Sequence, residues 1–416
     1  MIIIHIALIF ILLVLLLRLK IPFTFTVLLL SVLLGIQFGL NFTRMAKIGL
    51  ETLIRQDTLS LIGTVGLILV FSDLLSHSGH LSAISKIILT IFGTHKLAFA
   101  ILPALIGLLP MPGGALFSAP MVDGLDKEIN IPPHKKTLIN YWFRHIWEYT
   151  WPLYPGLILA AGIAKVPLYS FSSLLMPLCL VAILVGIIFT LSGITISQTL
   201  PINRSLATFV NLIYLISPIG LIVVLFLTAH IAIWLCMVIS VGWVILIILA
   251  TKKMRIKQVF TCTFLNKKIY FMMFMVASVL VFVGIMQSST LTSELAAFFS
   301  ASSGNSLPIV YCLVAIIFFP MMIGLLTGLT IAFVGTSFPI IISAFIPSGY
   351  SILPFVFLAY TAGLTGVMLS PTHLCLILTN QYFGSSLKKV YQYLLPTVLS
   401  VFASALILFF VYLKFA

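Results

Sequence analysis

The sequence predicts an all-α polytopic membrane protein built from inverted-topology repeats. Hydrophobic residues make up 62% of the 416 residues and charged residues only 7%, whereas a soluble domain carries about 25% charged residues. The apolar residues form runs of about 20, the length of a membrane helix rather than of a barrel strand. Two regions interrupted by Gly and Pro match each other along the chain. We therefore expect a lipid bilayer to be the solvent, with each helix satisfying its own backbone hydrogen bonds.

The net formal charge of +14 does not predict nucleic-acid binding. Most Lys and Arg residues lie in short loops between apolar runs, and such loops set orientation in a membrane. Placing the Arg18 and Lys20 turn inside gives one register in which most basic residues are cytoplasmic. This pattern predicts a multi-pass protein of the inner (cytoplasmic) membrane.

Uninterrupted apolar runs predict plain membrane spans at 2–19, 22–41, 59–78, 167–190, 208–228, 231–250, 269–287 and 390–413. Amphipathic stretches follow at 80–95 and 289–304. The first run could be a signal peptide, but its charges follow the apolar residues and no small-residue cleavage site appears. We expect it to remain as the first helix.

Four further apolar segments are interrupted. Segment 97–122 contains Leu109-Pro110-Met111-Pro112-Gly113-Gly114, which cannot continue a helix, so we predict two half-helices meeting at a tip. Segment 307–346, with four Gly and Pro interruptions, is predicted as a second hairpin. Segments 137–163 and 352–380 are predicted as broken helices. The map gives about ten crossings and two re-entrant hairpins, the first entering from inside and the second from outside.

The interrupted regions align at a constant offset of 219 residues. The matching pairs include Ser118 with Ser337, Pro120 with Pro339, Tyr141 with Tyr360, and Pro152 with Pro371. Paired discontinuous helices in inverted repeats indicate a secondary transporter with its site near the bilayer midplane. We divide the chain into an N-terminal repeat (1–190), connecting helices with a basic cytoplasmic loop (191–268) and a C-terminal inverted repeat (269–416).

The predicted hairpin tips are the first candidates for substrate binding. Half-helix N-termini suit an anionic group, and small residues let a substrate approach the backbone. The tip residues are Pro112, Gly113, Gly114 and Ser118 in the first hairpin and Gly335, Thr336 and Ser337 in the second. Each hydroxyl could instead bond to a carbonyl of its own helix.

Charged residues inside the membrane are rare and each needs a reason. Arg144 and Glu148 are four residues apart, so on a helix they share one face and can pair. The pair is either structural or functional; in the functional case Arg144 binds a carboxylate and Glu148 carries a coupling proton. Asp73 is a second candidate for coupling, or else an interfacial residue.

The second broken helix adds Ser370, Thr372 and His373 around Pro371. We assign these three residues to substrate binding, with a packing role for His373 as the alternative. The five cysteines show no metal or redox spacing, so the sequence predicts no metal and no cofactor apart from Na⁺ as a coupling ion. Motifs of hydrolases and nucleotide-binding enzymes are absent from the sequence; Ser370 with His373 is a loose enzymatic alternative.

Three strings carry a family resemblance: Leu109–Pro120, Asn140–His145 with Glu148, and Leu369–Leu376. Together they resemble the DUF401 family of prokaryotic membrane proteins, which looks like part of the ion transporter superfamily of gluconate, citrate and dicarboxylate permeases. The resemblance implies a homodimer whose hairpins and broken helices form a mobile transport domain, moving a small organic anion with Na⁺ or H⁺. Sodium–dicarboxylate relatives carry Ser-Asn-Thr at both tips, whereas this chain has Pro-Gly-Gly and Gly-Thr-Ser.

Overall fold

The computed structural model describes residues 2–92, 96–111, 113–126, 130–194, 205–229, 231–291, 293–294, 307–345 and 351–415. Of residues 2–7, 92, 307–312 and 343–345 it describes the backbone alone. Within these ranges the chain is a succession of helices. In order they are α1 (Ile2–Arg18), α2 (Phe23–Gln37), α3 (Phe42–Ile54), α4 (Gln56–His77), α5 (His80–Phe92), α6 (Ala98–Gly107), α7 (Ala115–Leu125), α8 (Pro133–His145), α9 (Pro155–Ala164), α10 (Leu168–Thr190), α11 (Leu206–Leu227), α12 (Ile233–Ala250), α13 (Ile256–Phe264), α14 (Lys267–Ser288), α15 (Leu307–Thr327), α16 (Thr330–Phe345), α17 (Ile352–Leu369), α18 (Leu374–Phe383) and α19 (Leu387–Phe415).

The length and apolar character of these helices define a multi-pass membrane protein. Seven helical stretches in the described residues are long enough and apolar enough to cross a membrane. Shorter apolar helices, among them α6, α7, α9 and α16, accompany them. Large apolar side chains such as Leu184, Ile188, Ile213 and Leu246 remain exposed on the long helices, as expected of surfaces that face lipid rather than water.

The first predicted hairpin is present. Helices α6 and α7 are separated by a turn at Leu108–Gly114, in which Gly113 has φ of +73°. A side chain is strained at that φ, so glycine suits the turn. Pro112 lies outside the described residues.

The tip predicted for the second hairpin is wrong. Gly335, Thr336 and Ser337 lie in the middle of α16, and the turn lies between α15 and α16 at Gly328, where φ is +65°. A β-carbon on Gly335 would collide with the Val279 side chain on α14. Gly335 therefore permits close helix packing, and Gly328 makes the turn.

Both predicted broken helices are present, and their bounds correspond at the predicted offset. α8 and α17 begin at positions 133 and 352, and α9 and α18 cover 155–164 and 374–383. The residues that follow, Lys165 and Gly384, both cap their helices with a left-handed conformation. The two halves differ before the break, because α8 ends at His145 and continues as a 3₁₀ helix at Ile146–Tyr149, whereas α17 remains α-helical to Leu369.

The sequence map omitted two short helices, α3 and α13. Both alternate apolar and polar residues along the helix, and their exposed faces carry charged residues such as Arg44, Lys47 and Lys257. A search for long apolar runs passes over such helices. They pack on α14 and α4 respectively, within a layer in which α14 also contacts α2 and α4 and α12 contacts α4.

Helices α15 and α17 approach each other closely. A β-carbon on Gly324 would meet the carbonyl oxygen of Gly363, and one on Gly366 would meet the carbonyl oxygen of Met321. Backbones that approach this closely need glycine, as is common at membrane helix interfaces. The packing holds the second hairpin against the second broken helix.

Candidate functional site

The two hairpin turns and the two helix breaks lie against one another. Gly113 of the first tip lies against the side chains of Leu374 and Leu378 on α18. Gly156 on α9 lies against the side chain of Thr330 at the start of α16. The N-termini of α7, α9, α16 and α18 therefore meet in two pairs, each pair joining one hairpin to the broken helix of the other half.

Two further contacts join these pairs into one region. The Tyr154 hydroxyl, in the first break, donates to the carbonyl oxygen of Gly107 at the first tip, at 2.6 Å. The backbone of His373, in the second break, lies against Gly328 at the second tip. Each helix N-terminus presents backbone N–H groups that lack an intrahelical acceptor and carry partial positive charge. The region is thus suited to a negatively charged ligand.

Arg144 places a full positive charge beside the first tip. The side chain is 2% exposed, and its Nη2 donates to the carbonyl oxygen of Met111 at 2.8 Å. The guanidinium lies against Gly114, where a β-carbon would collide with it. The Arg144 Nε atom is buried without a hydrogen-bond partner. The Nη2 group is therefore bound to the hairpin turn, and the Nε–H donor remains available.

The expected ion pair between Arg144 and Glu148 does not form. Among the described residues, the carboxylate instead lies near His145, at an Oε1–Nε2 distance of 3.9 Å, a contact that is an ion pair only when the imidazole is protonated. Helix α8 ends at His145 and tightens into a 3₁₀ turn. Because residues four apart no longer share a face in that tighter helix, the i, i+4 argument fails there.

Tyrosines satisfy the carbonyl groups that the breaks release. Tyr141 on α8 donates to the carbonyl oxygen of Met368 at the end of α17, at 3.0 Å. Its counterpart Tyr360 on α17 donates to the carbonyl oxygen of Glu148 in the 3₁₀ turn, at 2.9 Å. Each half therefore supplies the donor for the other half's break, which meets the requirement that backbone groups be satisfied at membrane depth.

His145 and His373 connect the two broken helices directly. Their Nε2 atoms are 3.2 Å apart, and the side chains are 1% and 8% exposed. The His145 Nδ1 atom lies 2.5 Å from the carbonyl oxygen of Tyr141, so Nδ1 carries the proton there and Nε2 presents a lone pair. Cys375, which follows two residues after His373, lies at the same place.

Ser370 and Thr372 lie in the second break, as the sequence predicted. The two hydroxyls are 2.8 Å apart, and Thr372 donates to the carbonyl oxygen of Leu326 near the second tip at 3.2 Å. Since Ser370 bonds to Thr372 and the His373 Nε2 atom bonds to His145, the two residues do not form a nucleophile and base pair. The geometry gives no support to the enzymatic alternative.

Several predicted residues lie away from this cluster or use their side chains locally. The hydroxyls of Ser118, Thr336 and Ser337 donate to Ala115, Ala332 and Phe333 of their own helices. Asp73 on α4 accepts from Asn266 Nδ2 at 3.1 Å and lies 3.5 Å from His77. Asp73 therefore belongs to a different part of the molecule, beside α13 and α14.

Sequence reasoning missed Asn140, Thr379 and Cys375 as members of the site. Asn140 Nδ2 donates to the carbonyl oxygen of Ala115 and to the hydroxyl of Thr379, both at 3.1 Å, while its Oδ1 is buried without a partner. Thr379 on α18 and Asn140 on α8 are far apart in sequence. A signal was available for Asn140, which lies one turn before Arg144 on the same helix face.

The fold and the site together define a helical membrane protein in which two hairpins and two broken helices meet around the buried guanidinium of Arg144. The chain belongs to the DUF401 family, described as proteins of unknown function, whose model matches residues 3–412. No curated protein sequence matches the chain. Its structure is similar to the crystal structure of the Alcanivorax borkumensis YdaH transporter, which is described as having an unusual topology. The TM-score is 0.65 at 14% sequence identity, covering 95% of this chain and 97% of that chain.

Proposed function

We propose that the protein is a secondary active transporter that moves a small organic anion across the cytoplasmic membrane. The observation that carries the proposal is Arg144: a buried guanidinium, in no ion pair among the described residues, with an unpartnered Nε. A buried charge is costly unless an opposite charge compensates it. A carboxylate bound between the first tip and the helix breaks would compensate it and would also accept from helix N-termini.

The paired breaks support alternating access between two similar halves. The helix bounds that recur at 219 residues and the reciprocal tyrosine bonds fit inverted repeats, whose discontinuous helices form transporter sites near the midplane. The YdaH protein of similar fold is described as a transporter, which favours the same class. We propose that hairpins and broken helices move together against the remaining helices, in a homodimer and by an elevator-type motion.

Coupling to a cation gives the transport its direction. Glu148 is 7% exposed and near His145, so gain and loss of a proton on this carboxylate would change the charge beside Arg144. We propose H⁺ as the coupling ion on this ground, with Na⁺ as the alternative at the released carbonyl groups. Asp73 is not part of this proposal because it lies away from the site.

Uptake into proteoliposomes tests the proposal. The purified protein is reconstituted, and the uptake of labelled mono- and dicarboxylates is measured with a pH gradient, with a Na⁺ gradient and with neither. We expect accumulation of an anion above equilibrium under the pH gradient and none with Glu148→Gln. Equal uptake with and without gradients would indicate an uncoupled permease, and no uptake of any anion under any gradient would contradict the transporter proposal.

A further inference from the structure

His145, His373 and Cys375 form a cluster of side chains to which the proposed anion site gives no role. One nitrogen from each histidine and the cysteine sulfur all lie within 4.8 Å of one another. All three side chains are buried. Two imidazoles and a thiol brought together away from water are the donor set of a borderline metal ion such as Zn²⁺.

The distance between the histidines suits a shared ligand. The two Nε2 atoms are 3.2 Å apart, and two nitrogens bound to one tetrahedral zinc at about 2.0–2.1 Å lie roughly 3.3 Å apart. Cys375 Sγ lies within 4.8 Å of a nitrogen of each histidine, and moving closer would give it a third bond of about 2.3 Å. The two histidine nitrogens are thus already near the spacing that the ion requires.

The surroundings of His145 are those of a metal ligand. Its Nδ1–H bonds to the backbone carbonyl of Tyr141, which fixes the tautomer and directs the Nε2 lone pair at the cluster. Metal-binding histidines almost always bond through their second nitrogen to a carbonyl or carboxylate in this way. Because the acceptor is a main-chain oxygen of the same helix, the orientation is set before any ion arrives.

Charge balance and coordination number agree with a divalent ion. A thiolate at Cys375 and the carboxylate of Glu148, whose Oε1 lies 3.9 Å from His145 Nε2, together offset a charge of +2. Glu148 also lies within reach of the fourth tetrahedral position. The positive charge of Arg144 is then left for the anion.

We infer that His145, His373 and Cys375 bind one Zn²⁺ ion between the two broken helices, with the fourth position beside Glu148. The ligands come from both halves of the chain, so the ion would join the first broken helix to the second. This inference does not depend on transport, because metal binding is measured on the purified protein without a substrate or a membrane gradient.

The test is metal loading of the full chain in detergent. The protein is stripped with a chelator, loaded with Zn²⁺, desalted, and analysed for zinc per chain by mass spectrometry. We expect one zinc per chain in the unmodified protein. Loss of a ligand should weaken binding at least about 100-fold, since loss of even an outer-shell partner costs about 10–100-fold. The variants Cys375→Ser and His373→Gln should therefore retain no zinc after desalting.

Two cysteine variants are matched controls. Cys179→Ser removes another buried thiol, and Cys262→Ser removes the thiol of the other described His, Cys and acidic group, Asp73 with His77 and Cys262. Both should keep the zinc. Loss of zinc in Cys262→Ser with retention in Cys375→Ser would overturn the inference and assign the ion to the group on α4 and α13.

Cobalt substitution provides a test on the unmodified protein, so it does not depend on whether a variant folds. Co²⁺ bound by two imidazoles and a thiolate in a tetrahedral site shows intense ligand-field bands in the visible and a thiolate charge-transfer band in the near ultraviolet. We expect both in the unmodified protein, displaced by one equivalent of Zn²⁺. Absence of the charge-transfer band, or no metal retained by the unmodified protein, would overturn the inference.

Discussion

The two broken helices begin, and resume after the break, at positions 219 residues apart, yet their side chains differ sharply before the break. The first half carries Arg144, where the second half has Gly363. Gly363 lies against the Phe333 ring of the second hairpin, and a β-carbon there would collide with it. The first half uses this position to place a charge at its hairpin tip, and the second half uses it to close the packing. Corresponding backbone positions therefore place a buried charge in the first half and close helix packing in the second.

The strongest test of this contrast is removal of the charge. If the proposed function is correct, Arg144→Ala should weaken binding of the proposed organic anion by at least about 100-fold, or about 3 kcal/mol, because a charged hydrogen-bond donor to the anion is lost. The fold should survive, since the guanidinium donates to a main-chain oxygen of the hairpin turn, that of Met111, and is in no ion pair among the described residues. The measurement is a titration of the anion against the purified protein, together with its unfolding profile.

Arg144→Lys is the control that keeps a positive charge but removes the planar guanidinium group. It should recover part of the affinity, remaining about 10-fold weaker than the unmodified protein, since lysine cannot make the same paired contacts. An Arg144→Ala protein that binds the anion normally would contradict the assigned role. So would one that fails to fold but is rescued by Glu148→Gln, because that result indicates a structural ion pair.

The first hairpin and both breaks could be predicted because their residues are incompatible with a continuous helix. Pro110, Gly113 and Gly114 exclude a continuous helix, and Pro152 and Pro371 mark equivalent breaks. The second tip could not be located this way. Gly324, Gly328 and Gly335 look alike in sequence, but only Gly328 has a positive φ, while Gly324 and Gly335 are needed for helix contacts.

The centre of the site was only partly predictable. Arg144 and Glu148 attract attention as charges within an apolar chain, but their spacing suggested a partnership that the 3₁₀ turn prevents. The contact of His145 with His373 joins positions 228 residues apart. No local spacing rule reports such a contact, and Cys375 entered the sequence analysis only as part of the Leu369–Leu376 string.

Glycines at the packing positions of the second half provide the next test. Gly363→Ala and Gly366→Ala should each lower the free energy of unfolding by about 1–3 kcal/mol, because the added methyl group forces apart packed elements. Gly242→Ala on α12 is the matched control, since a β-carbon there meets nothing within 4 Å. That change should be neutral or stabilising by up to about 1 kcal/mol.

Unfolding by denaturing detergent in mixed micelles measures these differences. The free energy of unfolding should be lower in Gly363→Ala and Gly366→Ala than in the unmodified protein. In Gly242→Ala it should equal or exceed that of the unmodified protein. Equal destabilisation by all three changes would mean that helix propensity, rather than the close packing of α15 and α16 on α17, decides their effect.

The reciprocal tyrosines test how alike the two breaks are. Tyr141→Phe and Tyr360→Phe each leave a buried carbonyl oxygen without its donor, at Met368 and Glu148, which should cost about 1–2 kcal/mol of stability. The costs should agree within about 0.5 kcal/mol if the halves are equivalent here. Tyr382→Phe, at a residue that is 43% exposed, should change stability little. A large cost for one tyrosine and none for the other would break the equivalence.

The smallest expected effect is at the helix caps after the breaks, where the halves use different residues in the same conformation. Lys165 has φ of +54° and Gly384 has φ of +60°, and a left-handed conformation costs a residue other than glycine about 1 kcal/mol or more. Lys165→Gly should therefore raise the free energy of unfolding by about 1 kcal/mol. Gly384→Ala should lower it by a similar amount through the backbone conformation alone, since a β-carbon at Gly384 meets nothing within 4 Å. Lys165→Ala keeps the conformational cost and serves as the control for loss of the charge. If Lys165→Ala stabilises as much as Lys165→Gly, the lysine charge rather than the backbone conformation separates the two caps.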